Sequence, residues 1–136
     1  MGWENFTLGG QHEMFHDTTL LNVAQMIVAK WRCGTAPCHE LSRYLVKWHR
    51  QWEYHAPGVV DIQLEEIYEH EPANVELLNL LEQVEAYLIA LGPSIPKEVM
   101  RAKWPISGVA YTGDQDTAQF LDVVQRLKHL LKPEDT

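Results

Sequence analysis

Cysteine is scarce in this chain: Cys33 and Cys38 are the only two among 136 residues. That count excludes a small disulfide-stapled scaffold, and the pair is expected to be reduced thiols. Lysine and arginine total 11 against 19 Asp and Glu, a formal charge of −8. A dedicated nucleic-acid binder needs an excess of cations to neutralise phosphates, so direct nucleic-acid binding is not expected. No apolar run approaches the roughly 20 residues that a membrane-spanning helix requires. The opening MGWENFTLGG has neither a basic n-region nor an apolar h-region, and Phe6 stands where a myristoylation signal has Ser or Thr. A cytoplasmic protein without a membrane role is the expectation. Also missing are a G-x-S-x-G elbow and a phosphate loop, since Gly108 to Gly113 lacks the Lys-Ser/Thr ending. No cofactor is implied.

What the chain does have is helical periodicity. In PANVELLNLLEQVEAYLIAL (72–91), Leu77, Leu80, Leu81, Val84, Leu88 and Leu91 recur at helical spacing, with Leu78 and Ile89 widening the stripe. Pro72 suits a first helical turn, and Gly92-Pro93 ends the run. Breadth of that kind predicts a central helix. Before it, Asp17, Thr18 and Thr19 are good caps for a helix carrying Leu20, Val23, Ala24, Ile27 and Trp31 and closing near Arg32 to Gly34. Pro37 opens a second helix to about His55, with Leu41, Tyr44, Leu45, Trp48 and Trp52 on its inner face.

The stretch from Val59 to Glu71 fits two periods. Val60, Leu64 and Ile67 suit a helix, Val60, Ile62 and Leu64 a strand; length and the acidic tail favour the helix. A short helix from Pro96 to Lys103 follows. Asp116 and Gln119 form a capping box for a last helix bearing Phe120, Val123, Val124, Leu127, Leu130 and Leu131, stopped by Pro133. Residues 1–16 have no period and read as an irregular arm. A short strand at Asn5 to Leu8 and the Val109–Tyr111 loop could together make a small extended hairpin. The expectation is therefore one all-α domain, 1–136, of about five helices around 72–91.

Three constellations could carry chemistry. His12-Glu13-Met14-Phe15-His16 is a literal H-E-x-x-H, which on a helix sets two imidazoles one turn apart toward zinc with the glutamate as general base. Gly9-Gly10 before it and Asp17-Thr18-Thr19 after it place the motif ahead of a helix rather than inside one. Cys33, Cys38 and His39 could join a histidine in a structural zinc site, but C-x4-C is wide and no second close pair completes the set. Glu66-x-x-Glu69 and Glu82-x-x-Glu85 resemble the paired acids of the all-α nucleoside-triphosphate pyrophosphatases. That resemblance, over about twenty residues, implies magnesium held between helices and a nucleotide hydrolase, although Glu85 stands where the family has Asp. At 100° per residue from the Val60–Leu64–Ile67 stripe, Glu69 falls opposite the core, and these four acids do not converge.

Charge segregation is the stronger signal. From Gln51 to Pro96 there is no Lys or Arg, yet the segment holds Glu53, Asp61, Glu65, Glu66, Glu69, Glu71, Glu76, Glu82 and Glu85. From Lys30 to Arg50 the balance reverses: Lys30, Arg32, Arg43, Lys47 and Arg50 against Glu40. Nine acids facing five bases leave surplus acid even if the two regions pair, and such a field steers a basic partner. Trp48, Trp52, Tyr54, Trp3 and Trp104 add aromatics of the kind found at binding hot spots. The expected function is a small acidic inhibitor, immunity-type or adaptor protein that docks a basic macromolecular surface. Glu65, Glu66 and Glu69 would steer, and Trp48 and Trp52 anchor. The alternative is a metal-dependent hydrolase using His12/Glu13/His16 or Glu66/Glu69/Glu82/Glu85.

Overall fold

A computed structural model of the chain describes residues 3–8, 11–33, 39–53, 64–70, 72–106 and 110–131. In chain order the elements are β1 (Trp3–Leu8), β2 (Gln11–His16), α1 (Asp17–Cys33), α2 (His39–Glu53), α3 (Leu64–Tyr68), α4 (Ala73–Leu91), β3 (Ser94–Ile95), α5 (Lys97–Lys103), β4 (Gln115–Asp116) and α6 (Thr117–Leu131). The architecture is mostly helical, with two small antiparallel ladders.

Helix α4 packs against α1, α2, α3 and α6. Leu77, Leu80, Leu81, Val84 and Leu88 are buried as their spacing requires, while Leu78 is half-buried. The outer part of the apolar stripe is not used: Ile89 is 64% exposed and Leu91 37%. Helix α1 shares the centre. Every residue from Leu20 to Val28 is buried, because α2, α4, α6 and β2 surround it. Burial on all sides forces Asn22 and Gln25 into the interior, where their polar groups need partners. They find them in the segment after α5. Asn22 Nδ2 donates to Gln25 Oε1 at 2.9 Å, to the Tyr111 hydroxyl at 2.9 Å and to the Trp104 carbonyl at 3.3 Å. Gln25 Nε2 donates to the Pro105 carbonyl at 2.7 Å. Arg101 clamps the same segment, with Nε and Nη2 donating to the Tyr111 carbonyl at 2.9 and 2.6 Å.

The region expected to be an irregular arm is ordered pairing instead. β1 and β2 form a six-pair antiparallel ladder from Trp3↔His16 to Leu8↔Gln11. The ribbon lies against α1, α3 and α6. Phe15 is fully buried, with the Arg126 guanidinium 4.8 Å from its ring centre. The described part of the Val109–Tyr111 loop takes no part: Ala110 and Tyr111 are outside any strand, and Val109 lies outside the described residues. The second ladder joins Ser94↔Asp116 and Ile95↔Gln115.

Gly92 ends α4 at φ +93°, a conformation that an L side chain rarely adopts. Thr117 locks this corner, its N–H on the Pro93 carbonyl at 3.1 Å and its hydroxyl on the Gly92 carbonyl at 2.6 Å. The capping box expected at Asp116 is replaced by this contact, and Gln119 donates to the Gln115 side chain at 3.0 Å instead. Asp114 Oδ1 accepts the Lys97 N–H at 3.0 Å, which satisfies one orphan donor at the start of α5.

Candidate docking face

Helix α3 has five residues and owes its place to two of them. Leu64 and Ile67, three apart and both buried, pin one side of the turn to the core. Glu65 and Glu66 are thereby left outside, and Glu69 and His70 are exposed just past the helix end. The helical reading of this region holds for the residues described; Val60 and Ile62 lie outside them.

The turn is fastened to α4. Glu69 N–H donates to the Glu65 carbonyl at 3.2 Å and His70 N–H to the Ile67 carbonyl at 3.1 Å. Asn74, in the first turn of α4, donates from its backbone to the His70 carbonyl and from Nδ2 to the Tyr68 carbonyl, both at 3.0 Å. The acids therefore sit on a braced surface. Val75, 49% exposed, adds an apolar side chain one residue beyond that joint. Among the described residues, Glu65 and Glu69 make no ion pair. Arg43 and Lys47 of the basic stripe on α2 are exposed and pair with no described acid; the Arg43 guanidinium lies 5.8 Å from the Tyr44 ring centre. The two signs of charge stay separate there. The side chain of Arg50 lies outside the described residues.

Trp48, expected as an anchor, is not at the surface. It is 1% exposed and belongs to the core, packed with Leu20, Ala24, Ile27, Leu64, Leu77, Leu81 and Leu127 around a void of about 10 Å³. Its position on the inner stripe of α2, with buried Leu41 and Leu45, is what removes it from the surface. A partner cannot use it as an anchor. The Trp52 side chain lies outside the described residues.

Neither the H-E-x-x-H motif nor the four glutamates is arranged among the described residues as its metal chemistry requires. H-E-x-x-H occupies strand β2, where four residues span about 13 Å of backbone rather than one helical turn of about 5.4 Å. The one-turn spacing of the zinc motif is therefore absent. The side chains of His12, Glu13, His16, Cys33 and His39, and all of Cys38, lie outside the described residues. Of the four glutamates, Glu66, Glu69 and Glu82 are exposed. Glu85 is engaged by α6: Lys128 Nζ donates to its Oε1 at 3.0 Å, and Gln125 donates to its Oε2. Among the described residues no three His, Cys, Asp or Glu side chains come together. No described helix is long and apolar enough to cross a membrane.

No protein-family model matches this chain, and neither the curated proteins nor the solved structures compared with it give a match.

Proposed function

We propose that this chain is a small acidic binding protein, of the inhibitor, immunity or adaptor kind, which docks a basic surface on another macromolecule. The observation that supports it is the braced α3 turn, with Glu65 and Glu69 exposed and unpaired among the described residues beside exposed Glu66. The chain around them lacks Lys and Arg from Gln51 to Pro96, so no local cation within that segment neutralises the face. Such a face attracts cationic surfaces and repels phosphate backbones, which makes a protein the partner class and disfavours nucleic acid. Val75 supplies apolar contact at the edge, in place of the buried Trp48.

The test is affinity capture from a lysate at low and high salt, followed by identification of the retained protein and quantitative binding. Screening should weaken retention, because the Debye length falls from about 10 Å at 0.1 M to about 3 Å at 1 M. Reversing Glu65, Glu66 and Glu69 to Lys should cut the association rate about tenfold or more. Equal retention of the partner by the reversed protein would remove the assignment.

A further inference from the structure

A second surface feature uses none of the acidic residues. Between α1, α4 and the end of α5 lies an open cleft of about 350 Å³, lined by Met26, Ala29, Lys30, Tyr87, Lys103 and Trp104. Its floor is apolar and fixed. Met26 is 1% exposed and Trp104 8%, and the Tyr87 and Trp104 rings meet edge to face at 77° with centroids 6.2 Å apart. The Trp104 backbone is held from below, since its carbonyl accepts hydrogen bonds from Asn22 and Tyr111. The size is at the lower end of the roughly 300–1,000 Å³ usual for small-molecule sites.

Charge decides what would enter. The chain has a net charge of −8, yet among the described residues this cleft is lined by two lysines and no acid. The Lys30 ammonium lies 5.0 Å from the centre of the Tyr87 ring, a cation–π contact between two residues of the cleft lining. Neither Lys30 nor Lys103 has an ion-pair partner among the described residues. An aromatic floor beneath two unpaired ammonium groups is complementary to a flat apolar body that carries one anionic group. The geometry points to a binding site for a small aromatic carboxylate or similar organic anion, its ring against Trp104 and Tyr87 and its acid group between Lys30 and Lys103.

The probe is naphthylacetate, compared with its uncharged analogue naphthylethanol by isothermal titration calorimetry on the full chain. One saturable site is expected for the acid, with the alcohol about tenfold or more weaker, as loss of a charge-assisted contact implies. Lys30→Gln and Lys103→Gln, both at solvent-reachable positions, should each weaken the acid by about three- to tenfold and leave the alcohol unchanged. Ala29→Trp, which fills the cleft from the α1 side, should abolish binding of both while circular dichroism shows an intact helical fold. If Ala29→Trp loses that fold, the two lysine variants decide alone. Equal affinity for acid and alcohol, unaltered binding by both lysine variants, or no saturable binding of the acid would each overturn the site.

Discussion

Asn22 and Tyr111 lie 89 positions apart and exchange hydrogen bonds inside the protein, Nδ2 to the phenol oxygen at 2.9 Å and the phenol to Oδ1 at 3.2 Å. The single phenolic proton has a second acceptor at the same distance, the Trp104 carbonyl. With the Gln25 bond to the Pro105 carbonyl at 2.7 Å, this exchange joins α1 to the segment after α5. Tyr111→Phe removes the donor and leaves Asn22 Oδ1 buried without it, which should cost about 1–3 kcal/mol. Asn22→Ala leaves the phenol proton only the Trp104 carbonyl, removes the Nδ2 bonds to Tyr111, Trp104 and Gln25, and should cost at least as much. The double variant should cost less than the two singles added, with a coupling of roughly 0.5–3 kcal/mol by urea unfolding. Strict additivity would mean that the pair does not act as a unit.

This pair also marks the boundary of what the sequence makes legible. The periods of α1, α4 and α6 follow from apolar spacing, since a helix that hides one face must repeat at three and four. Asn22 and Gln25 break that logic. Polar residues on a helix read as its outer face, and only the arrival of a loop 80 residues later gives them partners. Conversely, Ile89 reads as core and is exposed, because no element among the described residues covers that side of α4. The β1–β2 ribbon did leave a signal: Leu8 pairs with Gln11, and the Gly9-Gly10 between them is a hairpin dipeptide. Of the acidic face, Glu69 is readable from the Val60–Leu64–Ile67 stripe, and Glu65 and Glu66 from the run of acids without Lys or Arg. The lysine-lined cleft was not, since Lys30, Tyr87 and Trp104 come from three distant segments.

Burial predicts an alkaline limit to stability. It raises the Tyr111 hydroxyl above its ordinary value, against a lowering by the Asn22 hydrogen bond, and raises Tyr87, with Trp104 only partly offsetting it. Free tyrosine loses its proton near about pH 10. Above that pH the unfolded chain has released protons that the folded chain retains, so it binds fewer and stability must fall as pH rises. The contribution is whole below the ordinary phenol value and is lost through the raised one. Denaturant midpoints should therefore drop steeply on the alkaline side. Ultraviolet titration of Tyr111→Phe should lose one late phenolate transition; retention of every late transition would refute the assignment to Tyr111.

The Lys128–Glu85 contact joins α6 to α4 at 3.0 Å with both side chains 24% exposed. Partial solvent access keeps its worth small. Lys128→Ala should cost about 0.5–1 kcal/mol at low salt, less at high salt. Added magnesium should not raise the thermal midpoint through Glu85, because Lys128 and Gln125 already occupy its two oxygens. A magnesium-dependent rise that Glu85→Gln abolishes would revive the acidic-pair reading.

The sharpest contrast lies between Trp48 and the acidic turn it helps to support. Trp48 and Leu64 line the same small void, so the indole shares the core packing that seats the helix carrying Glu65 and Glu66. Trp48→Ala should destabilise the fold by about 3–5 kcal/mol, the usual cost of truncating a buried aromatic. Any loss of partner capture by that variant should then track the folded fraction and recover where the protein is kept folded. Glu65→Lys with Glu69→Lys should behave oppositely: exposed substitutions change stability by within about 0.5 kcal/mol, yet capture should fall at low salt. Measuring unfolding and capture on the same samples separates the two. If Trp48→Ala weakens capture by fully folded protein more than the charge reversals do, recognition runs through the core packing beneath the turn rather than through its carboxylates.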